Sequence, residues 1–464
     1  MLVDSLWFVD NVARETMLFA ATGLLIGGFD DLLVDLFYLF YRVRRRGMSR
    51  LRLEELVPSN RVGRLAIFVP AWDEAAVIGG MIDSALARLD HDDYRLYVGV
   101  YPNDPATIDA VADIAESDPR VRLVIGDADG PTTKADNLNR LWAAAIADEA
   151  RERWPLKAVV LHDAEDVVHP AELRVFDTLI DTHDVVQLPV LPLIKRGSRL
   201  VSGHYADEFA EHHTAQMPVR TALGAGMPLA GTGCAIARAT LGEIAAERGG
   251  LPFDATSLTE DYELGLRIGE RGGRCLFARV DDDTHGGLVA VRAYFPATIP
   301  TATRQKARWM IGIALAGWDR TGWSTGRHWR DHWMRMRDRR APIAVLVLAV
   351  AYIAVIAWGC RLALHWIAQV PPSTDALAGW LLGITTSLLV WRLAMRVACT
   401  ARCYGWREAL WSIPRFFVGN VIALVAAPRA IVRYVAMLRG AMPVWDKTGH
   451  EFPDAGIGDY VQPA

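Results

Sequence analysis

The sequence predicts an α/β fold, a mostly parallel sheet with helices on both faces, carried on transmembrane helices. Two observations predict it. Between about residues 62 and 290, short apolar runs alternate with longer amphipathic ones, and long apolar runs sit at both ends of the chain. The 464 residues exceed what one compact domain usually needs. Hydrophobic residues make up 52% and mean hydropathy is +0.15, high for a soluble protein, with the excess concentrated at the ends. The formal net charge of −4 offers no basic footprint for nucleic acid. The five cysteines (Cys234, Cys275, Cys360, Cys399 and Cys403) include no C-x-x-C pair, and the C-x3-C pair at 399 and 403 has no partner cluster. All five are expected as reduced thiols, with the globular part in the cytosol.

In the middle of the chain, "RLAIFVPAW", "YRLYVGVYP", "VRLVIGD" and "LKAVVLHDAED" read as strands. "AAVIGGMIDSALARL", "PATIDAVADIAES" and "TTKADNLNRLWAAAIADEA" read as the helices between them. Ligands of such sheets bind beyond the carboxyl ends of the strands. Each strand here ends in polar groups: Asp73 and Glu74, Asn103 and Asp104, Asp127 and Asp129, Asp163 and Glu165. A packed sheet does not require acids gathered at one edge. No G-x-x-x-x-G-K-[ST] exists, and "GTGCAIA" lacks a third glycine, so a phosphate loop is a weak reading. Acidic strand ends without such a loop suggest a divalent ion, Mg²⁺ or Mn²⁺, bridging carboxylates to a diphosphate.

At the ends, residues 341–360 carry no charge and are long enough to span a bilayer. Residues 376–391 form a shorter second span, after which Arg392 can snorkel. The link between them has no Lys or Arg, whereas "RDHWMRMRDRR" precedes the pair and Arg396, Arg402 and Arg407 follow it. The positive-inside rule therefore puts residues up to 340, and those after about 396, in the cytoplasm. A third span within residues 1–46 ends on "RVRRR", with no cleavage site for a signal peptide. Its Asp30, Asp31 and Asp35 either meet a polar partner or sit at the interface beyond a shorter spanning helix. Residues 401–440 have arginines at both ends and contain Pro414 and Pro428, which are expected to break the helix. They read as an interfacial helix with its basic residues toward lipid headgroups, with a membrane-spanning helix as the alternative.

Six motifs stand in order over about 240 residues: "FVPAWDE", "DGPTTKADNLN", "HDAED", "GTGCAIAR", "LTEDYELGLRI" and "RQKARW". Together they resemble the strand, K-A-x-x-L-N, D-x-D, glycine-rich, T-E-D and Q-x-x-R-W motifs of family-2 glycosyltransferases. "GGFDDLLVDLFY", "VGVYPNDPATI", "HDAEDVVHP" and "WDKTGHEFP" resemble inner-membrane members of the bacteriophage-adsorption type, over nearly the whole chain. The resemblance implies a GT-A domain over residues 62–320, a helix pair over 341–400 and a cytosolic tail over 441–464. Such members often continue into a C-terminal domain that binds cyclic di-GMP. This sequence stops just after "WDKTGHEFP", so control by that nucleotide is expected only through a separate chain.

The resemblance makes Asp163 and Glu165 the metal and diphosphate site. Alternation along an extended chain would put both on one side, with Asp166 turned away to pair locally. A solvated loop is the plain alternative. Asp261 is implied as the general base, with Glu260 beside it, although "SLTED" also suits a helix start. Gln305 and Trp309 share a helix face with Arg308 adjacent. Arg308 is implied on the diphosphate and Trp309 under the acceptor sugar, against an interfacial aromatic anchor as the alternative. Lys134 is implied at the nucleotide or the acid cluster, near Asp136 and Asn139. Glu74, with Asp73, is implied at the ribose or base, and Asn103 and Asp104 are base candidates. Trp445, Lys447 and Thr448 resemble a segment closing over the donor, with a plain linker as the alternative. His204, His212 and His213 read as an acceptor-side helix lying on the membrane rather than as ligands.

The expected function is inverting transfer of a sugar from a nucleotide-diphosphate sugar, a UDP-sugar first, to a growing exopolysaccharide or lipid-linked acceptor. The expected place is a bacterial inner membrane, with membrane lipids and an outer-membrane or periplasmic export partner nearby. A non-catalytic membrane scaffold or phage-adsorption component retaining the fold is the alternative.

Overall fold

The structure, a computed structural model, describes residues 2–44, 51–285, 287–324, 326, 328–372, 375–441 and 449–453. A long helix α1 (Leu2–Arg44) leads into a short strand β1 (Leu51–Arg52). The α/β part then runs β2 (Arg64–Pro70), α2 (Ile78–Arg88), β3 (Tyr94–Val100), α3 (Pro105–Ser117), β4 (Val121–Ile125), α4 (Lys134–Glu152) and β5 (Leu156–Leu161). These are the four strands and three helices expected. The chain continues through α5 (Glu172–Leu179), β6 (Val185–Gln187), α6 (Val201–Glu211), α7 (Met217–Leu223), β7 (Cys234–Ala237), α8 (Arg238–Glu247), α9 (Glu260–Glu270), β8 (Cys275–Phe277) and β9 (Val280–Asp281). Then come α10 (Ile299–Trp309), α11 (Ala316–Thr321), α12 (Trp329–Arg339), α13 (Ala341–Ala368), α14 (Ala376–Tyr404) and α15 (Trp406–Leu438).

The main sheet has the order β4-β3-β2-β5-β7-β6-β8. β2 pairs in parallel with β3 and β5, whereas β7 runs antiparallel between β5 and β6. Strand alternation divides the core between the two faces. Leu65, Ile67 and Val69 pack with α2 and α3 on one side. Ala66 and Phe68 pack with Leu138, Leu141 and Trp142 of α4 on the other. Asp104 caps α3 by accepting from Thr107 N, with Pro105 in the first turn, and Thr133 caps α4 by accepting from Asp136 N. α9 starts at Glu260 as expected, but Thr259 makes no capping bond; Ser257 instead donates its hydroxyl to Glu263 at 2.6 Å.

Four described helices, α1, α13, α14 and α15, are long and apolar enough to cross a membrane. α1 runs antiparallel to α13. At one end Asp10 meets Arg361 at 2.8 Å and His365 at 3.0 Å; at the other, Asp30 accepts from Arg340 at 2.6 Å and Trp333 at 2.6 Å. These charged layers lie twenty residues apart on α1, roughly 30 Å at helical rise and about the thickness of a bilayer's hydrocarbon core. The aspartates of α1 thus have partners: Asp31 lies 2.9 Å from Arg337 and 3.2 Å from Arg392, and Trp391 donates to Asp35 at 3.0 Å. Arg392 does not reach away into headgroups. It bridges Asp31 to Glu211 of α6, 2.8 Å away, and so ties the membrane helices to the α/β part.

Two expectations for α15 are corrected. Pro414 and Pro428 lie inside one continuous helix and do not break it. Nor does Arg415 face headgroups: it is fully buried, bonding Arg199 O at 2.8 Å, Glu408 at 2.6 Å and Asp207 at 3.3 Å. Ile422, Ala426, Ala427 and Ala430 continue the buried stripe, packing on the α10 region, while Phe417, Val421, Val425 and Val432 remain exposed.

Candidate active site

β5 delivers the acidic segment to the carboxyl edge of the sheet. His162 follows it with no solvent exposure, its ring held between Asp166 Oδ2 at 3.0 Å and Glu172 Oε1 at 2.8 Å. Burial opposes the imidazolium, but Glu172 and Asp166 outweigh it and hold the pKa up at about 10. Asp166 also accepts from Asp163 N at 2.8 Å and from the Thr232 hydroxyl. It therefore makes its bonds locally, to His162, Thr232 and the backbone of Asp163.

The extended alternation expected for Asp163 and Glu165 does not occur. Asp166 N donates to Asp163 O at 3.2 Å, closing a turn over 163–166. A turn does not keep i and i+2 on one side. Asp163 faces Lys134, whose Nζ is 2.5 Å from its Oδ1 and also donates to Gly231 O at 3.2 Å. Glu165 faces Glu74 and His450 instead. His450 Nδ1 donates to Glu74 Oε1 at 2.8 Å and lies 3.3 Å from Glu165 Oε2. Among the described residues, Glu74, Glu165 and His450 are the group whose donor atoms are close enough to share a metal ion. Burial raises the Glu165 pKa; His450 opposes this, and the neighbouring carboxylates reinforce it. Burial lowers the His450 pKa, but Glu165 and Glu74 outweigh it and bring it to about 8.

The acidic turn, Lys134, Glu74 and His450 open on one cavity of about 370 Å³. Its wall includes Glu74, Lys134, Asp163, Glu165, Glu260, Asp261, Gln305, Arg308, Trp309 and His450. Asp261 sits in the first turn of α9 and accepts from Tyr262 N at 2.8 Å. Burial raises its pKa, against the lowering pull of Lys134. Burial and Asp261 push Glu260 up in the same way. The glycine-rich turn before β7 permits this crowding. Gly231 has φ +74°, and a Cβ there would lie 2.5 Å from Asp261 Oδ2. Trp309 ends α10 within a cluster of Tyr205, Phe209 and Phe295, with Lys306 Nζ 4.9 Å from its ring centroid.

Other expected site residues lie elsewhere. Neither Asn103 nor Asp104 lines the cavity. Asn103 bonds both N and O of Gly130 at 2.8 Å, and Asp104 accepts from Asp73 N at 2.6 Å. Both pin loops at the strand ends. Asn139 brackets Phe253, and Asp136 accepts from Thr132 and Arg140. His204 and His213 are buried, and the described residues show no metal-ligand group among the three histidines of that stretch. The five cysteines are free. Trp445, Lys447 and Thr448 lie outside the described residues. Sequence reasoning missed His450, two positions after Thr448, and Thr232 beneath the acidic turn. Both stand inside quoted motifs, but side-chain direction within a motif is not legible from its letters.

The family described as glycosyltransferase like family 2 matches residues 63–312. Bacteriophage adsorption protein B of Escherichia coli K12 is 35% identical over 456 residues, covering 93% of this chain and 61% of that protein. Bacteriophage N4 adsorption protein B of Escherichia coli O157:H7 gives the same values. The chain thus spans about three fifths of the length of these relatives. Among solved structures, the mannosyltransferase PcManGT from Pyrobaculum calidifontis, in complex with GDP-Man and Mn²⁺, aligns over 91% of this chain and 99% of its own. Its TM-score is 0.54 at 16% identity, a likeness of fold, and the fold is GT-A as expected. With more than half its length matched, the chain belongs to the glycosyltransferase like family 2.

Proposed function

We propose that the protein transfers a sugar, with inversion, from a nucleotide-diphosphate donor to a glycan or lipid-linked acceptor at the cytoplasmic face of a bacterial inner membrane. The observation that carries this reading is the convergence of Asp261, Lys134, Arg308, Trp309 and the acidic turn on one cavity. The acceptor oxygen attacks the anomeric carbon as the bond from that carbon to the diphosphate oxygen breaks. Asp261 takes the acceptor's proton, and the electron pair leaves on the diphosphate. Burial of Asp261 makes its carboxylate a stronger base than a solvated one. Arg308 places a guanidinium by the departing phosphate, and the Trp309 face packs against the acceptor sugar. Displacement from the opposite side turns an α-linked donor into a β-linked product.

A divalent ion, Mg²⁺ or Mn²⁺, fits the residues present. Glu165 Oε2 is sealed from solvent with no hydrogen-bond partner, and Glu74 and His450 converge on it. Glu165 with these neighbours would hold the ion, and Asp163 stands in the same turn, facing Lys134. When bound, it would neutralise charge on the diphosphate. The Mn²⁺ and GDP-Man of the archaeal mannosyltransferase are in keeping with this assignment.

UDP-sugars are the first donors to test. The long α1, α13 and α14, with charged layers about a bilayer apart, favour insertion in a membrane. α15 is assigned to its cytoplasmic interface, where an acceptor or export partner would meet the α10 region. The test is nucleotide release by the purified protein with Mn²⁺ or Mg²⁺ and a panel of UDP- and GDP-sugars. Release from a donor that Asp261→Asn abolishes is the expected result. No release with any donor, or equal release from the variant, overturns the enzymatic reading and leaves a scaffold.

A further inference from the structure

Trp318 and Trp323 share one guanidinium. Their ring centroids stand 5.8 Å apart, and Arg339 Cζ lies 5.3 and 4.9 Å from them. Arg339 is buried, whereas both indoles remain exposed, and Trp329, a turn before His332 on α12, is 63% exposed. The His332 ring, 5.7 Å from that of Trp323, joins the two ends of this patch. Its depth is set by its neighbours. Arg339 ends α12, and the next residue, Arg340, bonds Asp30 in the charged layer at the foot of α13. Tryptophans within a turn of such a layer stand at headgroup level. Asp319, beside Trp318, takes the hydroxyl of Tyr434 from α15, whose Val432, Val435 and Leu438 are also exposed. The patch is therefore continuous with α13 and α15. Its balance of charge is basic: Arg330 and Arg439 enter no ion pair among the described residues, whereas Asp331 and Asp338 are paired with Arg335 and Arg220.

The helices that carry the patch also hold α9. Arg320 of α11 donates to Glu263 at 2.8 Å. From α12, Asp338 accepts from the Tyr262 hydroxyl at 3.1 Å and Arg335 donates to Glu270 at 2.7 Å. Arg339 ties α12 to α11 by donating to Thr321 Oγ1 at 3.0 Å. Tyr262 follows Asp261 in the first turn of α9. We propose that Trp318, Trp323, Trp329 and Arg330 form a docking surface for anionic lipid headgroups, and that seating this surface fixes Asp261 through α9. The occupant is a lipid surface because indoles at headgroup depth, beside arginines without acidic partners, suit anionic lipids. The inference rests on the membrane insertion proposed above, and on the transfer reaction only for the role of Asp261.

The experiment places one nitroxide at a time in the full chain, with the exposed thiol removed by Cys360→Ser. The protein is held in nanodiscs of phosphatidylcholine with or without phosphatidylglycerol. Labels at Trp323→Cys and Trp329→Cys are expected to collide more with oxygen than with a water-soluble nickel chelate when phosphatidylglycerol is present. Ile356→Cys, exposed midway along α13, and Trp154→Cys, exposed on the α/β part, serve as the lipid and water references. Dominant nickel collisions at the two tryptophan positions, with Ile356→Cys shielded from nickel, overturn the proposal and leave the insertion standing. Nickel reaching Ile356→Cys as well overturns the insertion itself. Labels shielded from both reagents mean that protein covers the patch, which also overturns the proposal. Amide exchange reads the coupling without any sugar donor. Phosphatidylglycerol should slow exchange over Glu260–Glu270 severalfold, and the double variant Trp323→Ser, Arg330→Gln should lose that effect at an unchanged melting temperature. Equal exchange of the unaltered protein in both lipids overturns the link to Asp261.

Discussion

Lys134 Nζ stands 2.5 Å from Asp163 Oδ1, twenty-nine residues away in sequence. Three acids, Asp163, Glu260 and Asp261, raise the lysine's pKa against the effect of burial, so it is a fixed positive charge among them. This answers how so many carboxylates share one cavity. Lys134→Met should remove the charge that stands against Asp163 and opposes the effect of burial on Asp261. We expect nucleotide release to fall about 10²-fold or more in kcat/KM, the scale of a lost preorganised electrostatic contact. Lys134→Arg should not restore it. The planar fork cannot repeat the single-point contact to both Asp163 and Gly231 O. Steady-state kinetics of the two variants check this, and near-normal activity in Lys134→Met would refute it.

Gly231 makes a sharper test of the same crowding. Its backbone is left-handed, and a methyl group there would sit 2.5 Å from Asp261 Oδ2. Gly231→Ala therefore forces either the turn or Asp261 to move. The expected cost is about 1–3 kcal/mol of stability from the strained backbone, together with a loss of kcat beyond what that instability explains. Thermal unfolding and single-turnover rates on the same preparation separate the two effects.

His162 gives the acidic turn a pH dependence. Its pKa is lifted from the usual 6.5 to about 10 by Glu172 and Asp166, which outweigh burial. A raised pKa contributes stability fully below the unfolded value near 6.5, and the contribution fades as pH climbs toward 10. The melting temperature should accordingly fall from pH 7 to pH 10 in the unaltered protein and fall less in His162→Gln. That variant should already be less stable at pH 7 by about 3–5 kcal/mol, because two buried carboxylates lose their cation. Parallel slopes for both proteins would show that His162 is not the titrating group.

How much of this was legible in the sequence depended on distance along the chain. The strands from Arg64 to Leu161 were readable because apolar runs and turn residues are local. Acids at strand ends were readable because a parallel sheet delivers them to one edge. The pairing of Asp163 with Glu165 failed because it assumed extended backbone, and the turn closed by Asp166 N is a property of three-dimensional hydrogen bonding. His450 was not legible as a partner of Glu74, 376 residues away, because no periodicity spans that separation. The prolines of α15 misled for a related reason. A lone helix breaks at proline, but a helix packed against neighbours along its length can have the freed backbone groups satisfied.

Arg415 decides how α15 is held. Its side chain is fully buried and reaches Asp207 of α6, itself unexposed, at 3.3 Å. Farther along the same helix, Tyr434 donates to Asp319. Two polar contacts, nineteen residues apart, fasten the helix to the same α/β part. A helix crossing the bilayer would carry its ends to opposite sides, whereas one lying along the interface keeps both near the α/β part. Single cysteines at Trp406 and Leu438, both exposed, should therefore react with a membrane-impermeant maleimide from the cytoplasmic side alone, in vesicles of known orientation. Labelling of the two positions from opposite sides would make α15 a true span. Arg415→Met should destabilise by about 3–5 kcal/mol, since Asp207 is left buried without its cation. Adding Asp207→Asn should recover much of that loss, because the two residues share one interaction.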